Sequence, residues 1–183
     1  MKFVILHGTD SDHASNWFPW LKGELEKLGH EVWVPDLPDA QLPNIERYNK
    51  FLLSSGYNFN ESVLIGHSSG TSAVYGLLQE LPDDANAKAA VLVGTFKGDL
   101  GWDQLHGVNV PFDFIKIKSK ADNFIVIHSD DDPYCPLSGA KEIAGELDAK
   151  FILIPGQGHF SKKLDPKYSK FPEILEIIKE KLL

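Results

Sequence analysis

Short apolar runs recur along the chain, separated by longer stretches in which apolar residues return every three or four positions. The runs Phe3–Leu6, Val32–Val34, Val63–Ile65, Ala89–Val93, Phe124–His128 and Phe151–Ile154 are mostly continuous rather than alternating. That pattern predicts strands buried on both faces of a parallel sheet. Helices are predicted over Trp17–Leu28, Ile45–Ser54, Ser69–Leu81, Ser138–Leu147 and Phe171–Leu183. In the first of these, Phe18, Leu21, Leu25 and Leu28 share one face. Alternation of strand and helix predicts an open, doubly wound α/β sheet with right-handed crossovers and helices on both faces. No repeat, low-complexity tract or linker interrupts the pattern, so residues 1–183 are read as a single domain. The segment 96–118 is the least regular, with Gly98, Gly101, Gly107 and Pro111 around Trp102 and Phe112. Loops and short helical turns are predicted there, above the strand ends where such sheets bind ligands.

Composition adds exclusions. A chain of 183 residues with 43% hydrophobic and 24% charged residues supports one substantial core. A formal charge of -8 would repel nucleic acid and anionic membrane surfaces alike. Cys135 is the only cysteine, which rules out an intramolecular disulfide and a thiolate-rich metal site. The first apolar stretch ends at His7-Gly8, too short for the core of a signal peptide. No apolar run approaches the ~20 residues needed to cross a bilayer, so no membrane insertion is expected and the cytoplasm is the predicted compartment.

The chemistry begins after the third strand, where Gly66-His67-Ser68-Ser69-Gly70 precedes a helical pattern. Gly-x-Ser-x-Gly between strand and helix is the pattern of a nucleophile elbow. The serine sits on a strained turn that lifts its hydroxyl clear of the sheet, and the flanking glycines admit neighbouring backbone. Ser68 is thus the candidate nucleophile, at a helix start whose N–H groups and dipole favour a developing oxyanion. His67 is read as structural, its side chain pointing away from the hydroxyl.

A serine hydroxyl needs a positioned base, and in this strand order the acid and then the histidine follow the serine. His159, in the turn Gly156-Gln157-Gly158-His159-Phe160 after the last strand, is the one histidine beyond the acidic loop. The acid is sought in His128-Ser129-Asp130-Asp131-Asp132-Pro133, after the preceding strand. Asp132 is the first choice because Pro133-Tyr134-Cys135-Pro136 makes a rigid turn beside it; Asp130 is the alternative. An oxyanion would be met by the backbone amides of Ser69 and of Thr9, the latter in the His7-Gly8-Thr9 turn after the first strand. Among the aromatic residues Trp17, Trp20, Phe96, Trp102, Phe112, Tyr134 and Phe160, Trp17 and Phe160 are taken as substrate contacts. Cys135 is read as a small packing residue.

The sequence leaves two other readings open. Asp10, Asp12 and His13, or the aspartates 130–132, offer oxygen and nitrogen ligands but no recognisable metal spacing, so neither a metal nor a dissociable cofactor is expected. A binding protein on a hydrolase scaffold is the alternative to an enzyme.

Taken together, these segments resemble the YdeN-like family of small serine hydrolases, which includes retinoblastoma-binding protein 9. The resemblance rests on Ile5-Leu6-His7-Gly8, Asn16-Trp17-Phe18-Pro19-Trp20-Leu21, the Gly66–Gly70 elbow, the loop from Ser129 to Pro136 and Gly158-His159-Phe160. It implies a compact α/β-hydrolase fold of six strands in order 2-1-3-4-5-6 without a separate cap domain. It also aligns the family's acid with Asp132, 27 residues before His159. The resemblance does not fix the substrate; an ester-like or amide-like carbonyl of a small acyl substrate is expected, esters first because their leaving group needs the least protonation.

Overall fold

In the computed structural model, which describes residues 1–183, the strands are β1 (Lys2–Leu6), β2 (Glu31–Trp33), β3 (Ser62–His67), β4 (Ala89–Val93), β5 (Phe124–His128) and β6 (Lys150–Leu153). They form one sheet in the order β2-β1-β3-β4-β5-β6, and every neighbouring pair is parallel. The register pairs Leu6 with Gly66, His67 with Val93, Val93 with Ile127 and His128 with Leu153. The chain therefore leaves all six strands at one edge, and the loops that follow them are neighbours.

The helices are α1 (Phe18–Lys27), α2 (Ile45–Ser54), α3 (Ser69–Glu80), α4 (Phe114–Lys118), α5 (Leu137–Glu146) and α6 (Pro172–Leu182). Their starts follow from local chemistry. The Asn44 side chain accepts the Arg47 N–H at the head of α2, and Pro172 occupies the first turn of α6, where its missing N–H costs nothing. Side-chain alternation along the strands divides the core in two. Phe3, Ile5, Val63, Ile65, Val91 and Ile125 pack with Phe18, Leu21 and Leu25 of α1 and Ile174 and Ile178 of α6. Val4, Leu6, Leu64, Leu92 and Val126 pack on the opposite face with residues of α2, α3 and α5. Each such side chain contributes roughly 1.5–3 kcal/mol of burial.

The predicted elements differ from the observed ones by a residue or two at their ends, and the central third strand runs longer, over Ser62–His67 rather than Val63–Ile65. The second strand spans Glu31–Trp33 rather than Val32–Val34, and the sixth spans Lys150–Leu153 rather than Phe151–Ile154. Edge strands have one face of hydrogen-bonding groups in solvent, so a charged residue can begin them where the pairing begins. The irregular segment holds a 3₁₀ turn at Asp103–Val108 and the short α4.

Close backbone approach joins α3 to the sheet. A Cβ on Gly66 would come 2.7 Å from the carbonyl oxygen of Gly70, and one on Gly70 would collide with the carbonyl oxygens of Leu6 and His7. These oxygens are backbone atoms and cannot swing aside. Gly70→Ala is expected to lower stability by about 3 kcal/mol, read as a shift in urea midpoint. An unchanged midpoint would mean that α3 can retreat from β1 freely.

Candidate active site

Ser68 stands between the last residue of β3 and the first of α3, with φ 55° and ψ -128°. That left-handed value is strained for a residue with a Cβ. The turn is held by the Ser68 N–H donating to the Val93 carbonyl at 2.9 Å, and by the Thr71 amide and hydroxyl donating to the Ser68 carbonyl at 2.9 and 2.7 Å. The Thr95 hydroxyl donates to Thr71 Oγ1 at 3.0 Å, so its own oxygen accepts from Tyr75 at 2.6 Å. This buried chain braces the elbow from below, and nothing in the residue pattern announces it.

His159 and Asp132 meet. Nδ1 of His159 lies 2.7 Å from Oδ2 of Asp132, with side-chain exposures of 7% and 1%. Asp132 Oδ1 accepts the amides of Tyr134 and Cys135 at 2.9 and 3.0 Å. Burial pushes the Asp132 carboxyl up, but the His159 contact and the two amides outweigh it, and its pKa falls below the ordinary value. The ionised carboxylate makes Nδ1–H the donor and leaves Nε2 as the free nitrogen. Gly94, at φ +60°, lies where a Cβ would come 3.1 Å from His159 Cε1, and Tyr134 meets the imidazole edge-on at 5.2 Å.

The other two aspartates do different work. Asp130 accepts the Gly156 amide at 2.9 Å, while Asp131 accepts the Ser129 hydroxyl and the Gly158 amide at 2.6 and 2.7 Å. They tie the loop of Asp132 to the loop of His159. Asp10, Asp12 and His13 do not gather into one ligand set. Asp10 accepts from Gln104, Asp12 from Ala14 and Ser15, and His13 pairs with Asp36. Asp132, Cys135 and His159 each present a ligand atom within 4.8 Å of the others. The carboxylate oxygens are already engaged by N–H groups, however, and burial with the Asp132 charge pushes the Cys135 thiol well up, disfavouring a thiolate.

Thr9 and Ser69 lie side by side, their hydroxyls 2.8 Å apart. The Thr9 amide donates to no protein acceptor, and Ser69 is the first residue of α3, whose N–H has no partner within the helix. The Gly8 carbonyl accepts from Nδ1 of buried His7 at 3.0 Å, while Nε2 of His7 accepts the Leu37 amide at 2.8 Å. Because C=O and N–H of one trans peptide point oppositely, holding the Gly8 oxygen aims the Thr9 N–H the other way.

Ser68, His159, Gly8 and Thr9 line one cavity of about 820 Å³. Its apolar wall is made by Phe96, Leu100, Trp102, Leu105 and Tyr134. Trp17 and Phe160 are not part of that wall, contrary to the expectation from sequence. Both are fully buried; Trp17 Nε1 donates to the Phe160 carbonyl, and the Phe160 ring stacks on Phe171 in the core. The irregular segment, with Tyr134 from the loop of Asp132, supplies the apolar wall instead.

Burial lowers the pKa of His7, His67 and His128, that of His67 to about 3 from 6.5. Between those values the unfolded chain binds a proton that folded His67 refuses, so stability falls as the pH drops below 6.5. His67 alone is expected to remove about 2 kcal/mol between pH 7 and pH 5. Urea unfolding at the two pH values measures this, and equal stabilities would contradict a buried neutral ring.

The comparisons with known proteins agree in kind. A family model described as serine hydrolase matches residues 3–180. YdeN of Bacillus subtilis (strain 168) is 28% identical over 95% of this chain and 92% of its own. The serine hydrolase RBBP9 of Rattus norvegicus is 26% identical over 99% of this chain and 95% of its own. The crystal structure of the B. subtilis ydeN gene product superposes with a TM-score of 0.91, covering 98% of this chain and 97% of that one at 27% identity. With its six-stranded α/β-hydrolase sheet and a match over nearly its whole length, the chain belongs to the serine hydrolase family.

Proposed function

We propose that the chain hydrolyses carboxylic ester-like bonds, and in principle activated amides, through Ser68, His159 and Asp132. The observation that carries this reading is the Asp132–His159 contact behind the cavity that His159 and Ser68 both line. His159 Nε2 takes the hydroxyl proton as Ser68 Oγ bonds to the carbonyl carbon. The amides of Thr9 and Ser69 receive the oxyanion, at a typical contribution of about 3–4 kcal/mol for one such donor. His159 then protonates the leaving oxygen, and the bond to the alcohol breaks. Water attacks the acyl-enzyme, giving its proton to His159, which returns it to Ser68 as the acid leaves. Asp132 stays ionised throughout and steadies the imidazolium. Esters are the preferred class because their leaving group needs the least protonation.

The apolar wall from Phe96 to Leu105 supports an acyl group of some size, and the net charge of -8 supports a small-molecule substrate over a nucleic acid. The chain is read as one domain without a separate cap, and its single buried, unpaired cysteine fits a reducing compartment such as the cytoplasm. No helix is long and apolar enough to cross a membrane. A fluorophosphonate probe is expected to modify Ser68, identified by peptide mapping. Native protein that stays unlabelled, or labels elsewhere, would favour a binding role on a hydrolase scaffold.

A further inference from the structure

Four of the seven histidines are buried: His7, His67, His128 and His159. The three besides His159 stand at the ends of β1, β3 and β5, and each turns a ring nitrogen to a backbone carbonyl of a site loop, His67 alone reaching a loop that does not follow its own strand. His7 reaches Gly8, His128 reaches Cys135 at 2.9 Å, and His67 reaches His159 itself at 2.8 Å. A carbonyl oxygen only accepts, so Nε2 of His67 must carry the proton. Its Nδ1 is buried with no partner.

That bare nitrogen matters. A buried acceptor without a donor lowers stability, and a phenylalanine would fill the same aromatic site between Trp17, Phe18 and His159 without it. Packing alone therefore does not account for a histidine here. What the histidine adds is the Nε2–H. It is mounted on the residue before Ser68, locked in register with Val93 on β4, and it grips the carbonyl of His159. The next carbonyl, that of Phe160, is held by Trp17 Nε1 at 3.1 Å, and the Lys162 amide by Asn16 at 2.9 Å. The backbone on the C-terminal side of His159 is thus fixed by side chains from the first loop and from β3.

We propose that His67 is a positioning residue for His159: its Nε2–H holds the carbonyl of His159 so that the imidazole keeps its reach to Ser68. The proposal rests on the reading of His159 as the base. A base must come within about 2.6–3.2 Å of the proton it takes, and a misplacement of about 1 Å costs on the order of 10²-fold in rate. The brace links the nucleophile's strand directly to the loop of the base, so both move as one body.

The test is a pair of variants assayed on a p-nitrophenyl ester. His67→Phe keeps the ring and loses the donor; it is expected to lower kcat by about 10²-fold with KM nearly unchanged. His67→Gln, whose amide nitrogen reaches where Nε2 lies, is expected to recover most of that loss. The downfield proton resonance of the His159–Asp132 pair should broaden in His67→Phe and stay sharp in His67→Gln. Wild-type kcat in a folded His67→Phe, or equal losses in both variants that track their melting temperatures, would overturn the proposal. If His67→Phe does not fold, His67→Asn replaces it, since its amide is too short to reach the carbonyl; equal activity of the Asn and Gln variants would then overturn the proposal. His159→Ala, run in parallel, separates the two levels. Its retention of turnover would remove the base assignment itself, whereas an inactive His159→Ala beside a wild-type His67→Phe would remove the brace alone.

Discussion

Ser68→Ala is expected to lower kcat by on the order of 10⁶-fold while the chain folds as before. The substitution removes the one hydroxyl that the mechanism spends as a nucleophile, and it leaves the elbow's backbone bonds to Val93 and Thr71 in place. A companion variant separates chemistry from stability. Ser68 adopts φ 55°, a conformation that costs a residue with a Cβ roughly 1–3 kcal/mol and glycine almost nothing. Ser68→Gly should therefore be as inactive as the alanine variant but more stable than it, by about 1 kcal/mol after the glycine's greater unfolded freedom is subtracted. Steady-state kinetics with thermal melts of both variants check this. Near-native turnover in either would remove Ser68 from the mechanism.

Asp132→Asn is the second large effect, a loss of about 10⁴-fold in kcat with the fold retained. The geometry explains why a near-isosteric change should be so costly. Oδ1 of Asp132 serves two amides, those of Tyr134 and Cys135, and Oδ2 serves His159. An asparagine has one oxygen, and two N–H groups claim it at the first position. Its NH₂ then faces Nδ1 of His159, which must accept, and the ring proton moves to Nε2, where the base needs a lone pair. Asp130→Asn, by contrast, should change kcat little, because that carboxylate touches only the Gly156 amide. Kinetics on the two variants check the difference; a larger loss at Asp130 would reverse the assignment of the acid.

The residue pattern makes much of this arrangement legible because its signals are local. Continuous apolar runs mark strands with both faces covered, and they locate all six strands, erring by a residue or two where a strand begins or ends on a polar residue such as Glu31, Ser62, His67 or Lys150. Of the glycines around Ser68, Gly70 records a close contact with Leu6 and His7, some sixty positions away in sequence, and Gly66 one with Gly70 and Thr71, yet the spacing is readable because only glycine fits. Asp132 could be favoured over Asp130 from its proline, since a rigid turn after the carboxylate brings two amides onto one oxygen. The aromatic residues resist the same treatment. Trp17 and Phe160 sit in loops near the site just as Trp102 and Tyr134 do, and only the packing of α1 and α6 decides which pair turns inward. The buried histidines are harder still: His67 ends a strand like any core residue, and the carbonyl it meets is ninety-two positions away.

The proposed turnover requires a covalent bond from Ser68 Oγ to the acyl group. Acid-quenching the protein within the first turnover on a p-nitrophenyl ester, followed by peptide mass mapping, observes that bond directly. One acyl group should be found, on the peptide containing Ser68, and it should vanish in Ser68→Ala. An acyl group on another side chain, with turnover undiminished in Ser68→Ala, would contradict the account.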